Sequence, residues 1–390
     1  MRRRVPLVWK NLTHHRQRLL IAVCGVGFAV VLMFTEIGFR NALFDSTVKI
    51  FRDLDADVIV ASKAYYSLIS QETFSRRRIE QARGCPGVGG VFPLYVEMFG
   101  AAWKNPDHVA IPIRVLACDP ADPVFSNPGI RQCIAALSQP DTAIVDRQSK
   151  PKYGFPDAPT ELLGLRGAEL CSRSVRVVGS FAMGCDFMID GTVIVSSASL
   201  AGYRPLRAWG KDPLSVVDLG IVQVVKGADV RKVIEDLRRI LPPDVSIDSK
   251  EAFVAREIRF WNDSTPVGYV FFLGVVIGFL VGVVICYQII YADISDHMAE
   301  FATLKAMGYR NRYFIGFILG EALYLSVLSF VPGLLISAAI YQGLARVTGL
   351  LMLLTVPRAA LVFSLTLAMC TFSGALAMRK VLAADPADLF

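Results

Sequence analysis

Cysteine and histidine are the side chains in this sequence best suited to metal binding or redox chemistry. The chain has eight cysteines and four histidines, yet no two cysteines form a C-x-x-C and no histidine falls at a metal-ligand spacing from them. We therefore expect no metal site. Cys24, Cys286 and Cys370 lie in apolar runs, where cysteine acts as a small apolar residue. In an oxidising compartment the other five would permit up to two disulfides and one free thiol, with the pairing left open. These five are Cys85, Cys118, Cys133, Cys171 and Cys185.

Nucleotide and acyl-transfer chemistry lack their usual motifs. A P-loop needs Gly-Lys-Ser/Thr so that backbone N–H groups and the lysine can hold phosphates, and no lysine here is followed by Ser or Thr. There is also no G-x-S-x-G elbow. The close pairs Asp55 with Asp57 and Asp119 with Asp122 fit solvated turns better than a catalytic pair. We expect a non-catalytic chain without a cofactor of its own, so that ATP and Mg²⁺ are bound by a partner subunit.

Two acidic residues interrupt otherwise apolar runs. Glu36 lies three residues from the outer end of the first run, where a carboxylate can reach interfacial water; this reading is favoured over an ion or substrate contact. Glu321 lies deeper in the third run and must face other helices or water. A structural pair or hydrogen bond for Glu321 is favoured over transport chemistry.

Long apolar runs define the architecture that positions these residues. The chain is 54% hydrophobic and 19% charged, which indicates a membrane part and a water-exposed part. We predict an α-helical membrane protein with four transmembrane helices and a large α+β extracytoplasmic domain between the first and second. The predicted segments are an amphipathic helix at 1–18, spans at 19–40, 263–292, 314–341 and 359–378, the α+β domain at 41–262, a polar helix at 293–313, a loop at 342–358 and a tail at 379–390.

The predicted domain at 41–262 consists of short β-rich runs broken by Gly and Pro. Helices are predicted only at 75–83 and 228–241, and the second is followed by P-D-V-S-I-D, which indicates a βαβ unit. Strands are predicted at 56–62, 88–103, 108–118, 142–146, 174–181, 191–196 and 219–226.

Glycines recur every fourth residue in two of the spans. Gly274, Gly278 and Gly282 give the second span a face without side chains, and Gly316 and Gly320 repeat the spacing in the third. Such a face lets another helix backbone approach closely. The partner helix belongs either to the same chain or to a second copy.

Positive charge is concentrated beside the spans. The net charge is +7, but residues 41–262 carry 27 Lys and Arg against 26 Asp and Glu, so the excess lies outside that domain. A basic excess beside spans favours membrane lipid over nucleic acid as the partner. It also predicts that both termini and the 293–313 segment are cytoplasmic and that 41–262 is extracytoplasmic.

Four sequence segments resemble one family of membrane proteins. They are E-F-A-T-L-K-A-M-G-Y at 300–309, V-W-K-N-L-T-H-H-R-Q-R-L-L-I-A at 8–22, F-W-N-D-S-T-P-V-G-Y-V-F at 260–271 and D-P-A-D-L-F at the end. With the order of spans, the chain resembles the permeases of FtsX/MacB-like ABC transporters, and within them the DevC type. Glu36 has no counterpart in these motifs.

The resemblance implies a function and partners. The segment at 293–309 would be a coupling helix on the ATPase, with contacts at Glu300, Leu304, Lys305, Met307 and Gly308. The chain would lie in the inner membrane with 41–262 in the periplasm. It would act as a homodimer with a DevA-like ATPase, a DevB-like membrane-fusion adaptor and a TolC-like outer-membrane channel. By mechanotransmission it would drive tripartite efflux, or export of an envelope lipid, a glycolipid or another hydrophobic compound. Alternatives are a lipoprotein-releasing permease of the same class and a membrane-anchored sensor or enzyme.

Overall fold

The computed structural model describes residues 16–70, 72–105, 107–155, 168–204, 212–348 and 352–383. The predicted helix at 1–18 and the tail at 379–390 lie mostly outside these residues. The chain forms two compact units. The helical unit comprises Met1–Ala42, Pro266–Val347 and Met352–Phe390, and the α/β unit comprises Leu43–Thr265 with Thr348–Leu351.

The helices and strands are numbered in chain order. The helices are α1 (Arg16–Thr47), α2 (Lys49–Arg52), α3 (Arg77–Arg83), α4 (Pro128–Cys133), α5 (Ser197–Tyr203), α6 (Val230–Ile240), α7 (Lys250–Asp263), α8 (Pro266–Asp296), α9 (Met298–Ala306), α10 (Asn311–Thr348) and α11 (Val356–Ala383). The strands are β1 (Val58–Ser62), β2 (Phe74–Ser75), β3 (Val88–Glu97), β4 (Ala102–Lys104), β5 (Ala110–Pro112), β6 (Arg114–Cys118), β7 (Thr142–Asp146), β8 (Glu169–Leu170), β9 (Arg173–Ser174), β10 (Arg176–Phe181), β11 (Thr192–Ser196), β12 (Val216–Val217), β13 (Leu219–Val224) and β14 (Val245–Ser249).

Four helices of the helical unit are long and apolar enough to cross a membrane: α1, α8, most of α10 and most of α11. They extend past the predicted spans, and α10 continues to Thr348, inside the predicted loop at 342–358. An apolar-to-polar change in sequence marks the edge of the hydrocarbon layer, whereas the helix continues because its backbone bonds are internal. With the α/β unit between α1 and α8, the predicted fold class is confirmed.

An eight-stranded sheet forms the centre of the α/β unit. Its strand order is β10-β7-β11-β6-β3-β13-β1-β14, and a separate four-stranded sheet has the order β5-β4-β8-β9. Strand β1 is antiparallel to both β13 and β14, so the predicted βαβ unit of β13, α6 and β14 is split by β1.

Both faces of the large sheet are buried. Val58 and Val60 of β1 face one apolar cluster, which α3 and α6 cover with Ile79 and Leu237. Ile59 and Ala61 face a second cluster, which includes Phe51 and Phe253 of α2 and α7. Residues alternate between two covered faces, which explains why these strands read as continuous apolar runs.

Helix α7 was not predicted, because its apolar residues are interleaved with charges. Its signal lies at the start of the helix, where the Ser249 side chain accepts a hydrogen bond from the Ala252 N–H and Glu251 occupies the first turn. Helices α4 and α5 begin in the same way, with the side chains of Asn127 and Ser196 as caps.

All eight cysteines are free thiols in the structure. The sequence permits disulfides among the five outside the spans, and none is formed. Cys85 belongs to the apolar cluster on one side of the large sheet and Cys118 to the cluster on the other. Burial raises the pKa of both thiols, which disfavours the reactive thiolate.

Glu257 anchors α7 from inside the α/β unit. Its carboxylate accepts hydrogen bonds from the Tyr65 hydroxyl (3.1 Å), the Leu68 N–H (3.0 Å) and the Trp261 indole N–H (3.3 Å). Burial raises the pKa of Glu257 above its usual value, against the lowering effect of these three bonds. The folded protein therefore holds this proton more tightly than the unfolded chain does.

We expect stability to fall as pH rises through the interval between the usual glutamate pKa and the raised one. The effect reaches about tenfold in the folding equilibrium per pH unit while the two states differ by one proton. Glu257→Gln should remove this part of the slope, and Glu251→Gln, an exposed position on the same helix, should keep it. Thermal unfolding of the full chain across acidic pH measures the slope; equal slopes in both variants would contradict the assignment.

Candidate functional site

Helix α9 is a short segment between the two long helices α8 and α10. It ends where Gly308 adopts a left-handed backbone, with φ of 88°, and the Tyr309 N–H bonds to the Leu304 carbonyl at 3.1 Å. Residues with a side chain rarely adopt this φ, so glycine favours a sharp end at this position. Gly308 therefore ends the helix as its position in the sequence predicts.

One face of α9 packs against the helical unit. Phe301 is 7% exposed and makes edge contacts with Phe314 and Phe317, each with ring centroids 5.8 Å apart. Met298 and Leu304 pack against the same apolar cluster. These three residues follow helical spacing, so they hold α9 by one side.

The opposite face of α9 is open. Glu300, Thr303 and Gly308 are exposed, and Met307 just after the helix is 63% exposed. An exposed methionine provides an adaptable apolar contact, and Glu300 adds a charge two turns away. The segment therefore has one anchored face and one free face.

The structure divides the predicted contact residues between these faces. Glu300, Met307 and Gly308 are exposed, and Lys305 is half-buried. Leu304 lies on the anchored side, because it follows Phe301 by three residues and shares its side of the helix. We therefore assign Leu304 to the residues that hold α9 and not to a docking surface.

The glycine face of α8 packs against α1 of the same chain. A Cβ at Gly274 would lie 2.5 Å from the Glu36 carboxyl group, and one at Gly278 would lie 3.5 Å from Met33 Cγ. A Cβ at Gly282 would lie 2.9 Å from the Ala29 Cβ, and Met369 of α11 covers the same position. The three glycines thus occupy one line of close contact between helices.

The glycine spacing in α10 behaves differently. No described atom lies within 4 Å of a Cβ built at Gly316, and this glycine is exposed. Gly320 is half-buried. The expected close contact at Gly316 is therefore not made within the described part of the chain, because its side of α10 faces away from the neighbouring helices.

Other close contacts lie outside the four-residue repeat and were missed. The Tyr341 hydroxyl of α10 donates to the Phe34 carbonyl of α1, and its ring occupies the space that a side chain at Gly38 would need. A Cβ at Gly333 would lie 2.7 Å from a Val30 methyl group. No spacing pattern marks isolated glycines such as these.

The two acids within the spans occupy different surroundings. Glu36 is half-buried with its carboxyl group against Gly274. Glu321 is 3% exposed, so it faces the other helices, as a deeply placed acid must. Among the described residues, no three His, Cys, Asp or Glu side chains are placed to hold a metal ion.

Comparisons with known proteins identify the C-terminal part of the chain. Residues 271–386 match the family described as FtsX-like permease C-terminal. The chain is 28% identical over 185 residues to the macrolide export ATP-binding/permease protein MacB of Nitrobacter winogradskyi. That alignment covers 47% of this chain and 27% of the relative, so the chain spans about a quarter of the curated protein it matches.

Two solved structures are also similar to the chain. The extracellular domain of the noncanonic ABC-type transporter YknZ from Gram-positive bacteria is 12% identical with a TM-score of 0.33, over 50% of this chain and 100% of that one. The periplasmic region of MacB from Actinobacillus actinomycetemcomitans is 9% identical with a TM-score of 0.34, over 52% and 92%. The family match at residues 271–386 includes most of α8 and all of α10 and α11, and together with the MacB relative it shows that the chain is similar to FtsX/MacB-like ABC permeases.

Proposed function

We propose that the chain is the permease subunit of an ABC exporter and transmits the motion of a cytoplasmic ATPase to its α/β unit. The proposal is supported by the FtsX-like match and by the absence of a P-loop lysine in these 390 residues. ATP and Mg²⁺ would then be bound by a DevA-like ATPase. The chain itself would supply no catalytic group.

The charges beside the spans support an orientation for this subunit. Lys305 and Arg310 lie between α8 and α10, Arg312 lies in the first turn of α10, and basic residues near spans favour the cytoplasmic side. In this orientation α9 and both termini are cytoplasmic, and the α/β unit is periplasmic. An inner-membrane location follows.

The proposed assembly is a homodimer that works with a DevB-like adaptor and a TolC-like channel. The supporting observation is the DevC-type motif set, including F-W-N-D-S-T-P-V-G-Y-V-F at 260–271. The proposed cargo is an envelope lipid, a glycolipid or another hydrophobic compound. Few polar side chains lie within the spans, which disfavours a hydrophilic path between them.

The observation that carries the proposal is the two-faced helix α9. It is joined to the helical unit by its inward residues Met298, Phe301 and Leu304. A displacement of α9 would therefore be transmitted to α8 and α10. Its outward residues Glu300 and Met307 are free to meet a partner. An element that only closed a loop between spans would not need an exposed methionine.

We expect Glu300→Arg combined with Met307→Asp to abolish stable binding of the cognate ATPase. Reversing one charge and removing one apolar anchor should weaken binding by about a hundredfold, since an interface anchor contributes on the order of 2 kcal/mol. The matched control is Glu251→Arg, the same charge reversal in the α/β unit. Co-purification from membranes and ATPase stimulation in lipid nanodiscs measure the effect.

Retention of both binding and stimulation by the double variant would refute the assignment of α9. Neither residue is buried, so we expect the thermal unfolding of the double variant to be unchanged. Unchanged unfolding shows that its fold is intact. Recovery of the ATPase without any adaptor would favour a lipoprotein-releasing permease over the tripartite pump.

A further inference from the structure

A buried pair of acidic residues lies in the helical unit, and the proposed function does not use it. Its central member is Glu321 of α10, which is 3% exposed. The apolar cluster of this unit includes Ile318 and Ala322 on the same helix and Ile290 and Ile294 on α8. An acid in such surroundings is rare unless it is paired or neutral.

The partner of Glu321 is the carboxyl group of Asp293 on α8. The two carboxyl groups lie within hydrogen-bonding reach of each other. An ionised carboxylate has only acceptor atoms, so two carboxyl groups can form this bond only if one of them carries a proton. The contact therefore requires a bound proton.

The surroundings place that proton on Glu321. The Oε2 atom of Glu321 is buried and has no hydrogen-bond partner among the described residues. A negative charge shared with such an oxygen would be heavily disfavoured, whereas the neutral acid leaves only a weak acceptor unpaired. Glu321 is thus the donor.

Two basic side chains lie near Asp293. The Arg18 Nη1 atom of α1 lies 3.9 Å from its Oδ1, and the His297 Nδ1 atom lies 3.9 Å from the same oxygen. Arg18 also pairs with Asp296. Among the described residues, the thiol of Cys286 on α8 also lies near Glu321, and it meets Cys370 of α11. Arg18 shares its single positive charge between Asp293 and Asp296, so it does not also neutralise Glu321.

We propose that Asp293 and Glu321 form a proton-binding site that joins α8 to α10. These helices flank α9, so the bound proton joins the two helices between which that segment lies. Loss of the proton leaves two negative charges in an apolar contact, which drives the helices apart. The inference does not depend on the identity of the ATPase or of the cargo.

Infrared difference spectroscopy of the full chain in lipid nanodiscs tests for the proton. At neutral pH we expect a carbonyl-stretching band of a protonated carboxylic acid that disappears in Glu321→Gln. The matched control is Glu36→Gln, which removes the other acid of the spans and should leave this band in place. If Glu321→Gln fails to fold, ¹³C labelling of glutamate in a chain that carries Glu36→Gln and Glu257→Gln, and so lacks the other glutamate of the spans and the buried glutamate of α7, shifts the same band. Absence of any band that responds to Glu321→Gln or to the label overturns the proposal.

The pH dependence of stability provides a second readout. Unfolding separates the two carboxyl groups and releases the proton at any pH above the usual glutamate pKa, so above that pKa the ratio of folded to unfolded protein should fall by about tenfold per pH unit for as long as the folded chain keeps the proton. Glu321→Gln keeps a hydrogen-bond donor to Asp293 and should flatten this slope, and Glu36→Gln should retain it. An unchanged slope in Glu321→Gln would show that Glu321 holds no proton in the folded state.

Discussion

Replacing Gly282 with leucine is expected to be among the most damaging single changes in the helical unit. A Cβ at this position would lie 2.9 Å from the Ala29 Cβ of α1 and would displace Met369 of α11. Ala29 has no rotamer by which it could move away, so the helices themselves must separate. Overpacking of this kind costs about 1–3 kcal/mol, and more where backbones must shift.

Gly316→Leu is the matched control for this substitution. Both glycines belong to a four-residue repeat, but Gly316 has open space around it. Leucine also favours the helix over glycine by about 0.8 kcal/mol, so this variant should be neutral or slightly more stable. Thermal unfolding in detergent compares the two variants. Equal losses of stability would show that the glycine line of α8 is not a close packing surface.

Asp186→Ala is expected to destabilise the α/β unit by about 3–5 kcal/mol, because it leaves a buried guanidinium without its counter-charge. Asp186 accepts a hydrogen bond from Arg114 Nη1 at 2.5 Å, and both side chains are only 2% exposed. The Asp186 carboxylate also accepts bonds from the N–H groups of Met188 and Ile189, at 2.8 Å each. The substitution therefore also releases the loop between β10 and β11.

Arg114→Met with Asp186→Ala should be more stable than the sum of the single variants predicts, because neither charge is then left alone. Thermal unfolding of the full chain for the four members of the cycle measures the coupling. The loop carries Phe187, whose ring meets Trp261 of α7 with centroids 4.6 Å apart. Additive losses across the cycle would mean that the ion pair does not hold the loop.

Much of the architecture follows from local sequence patterns, which involve only residues close together in the chain. Most of the longer strands lie between turns, so their positions agree with the prediction to within a few residues. The spans are long apolar runs, and each predicted span lies within or overlaps one long helix. The position of β1 between β13 and β14 could not be predicted, because strand order depends on contacts distant in sequence. Helix α7 was missed because its capping serine gives a weaker signal than periodicity.

The candidate site was predictable in part. The polar helix and its end at Gly308 follow from local residue types. The apolar stripe predicts a packed face, but whether Leu304 meets a partner or its own chain depends on Phe314 and Phe317, which follow in α10. The pairing of Glu321 with Asp293 joins residues 28 positions apart, and no motif connects them.

The uninterrupted ladder of eight strands has a mechanical consequence for the α/β unit. Seven gaps of about 4.8 Å give a width of roughly 34 Å from β14 to β10. Helix α7 follows directly from β14 at one border of this plate, whereas α4 packs beside β10 at the other. Hydrogen-bonded strands resist shear, so the sheet tilts as one body. When the β14 border is tilted, the displacement of each strand grows with its distance from that border. Any cargo or adaptor that meets the β10 border would experience the largest displacement that this unit can deliver.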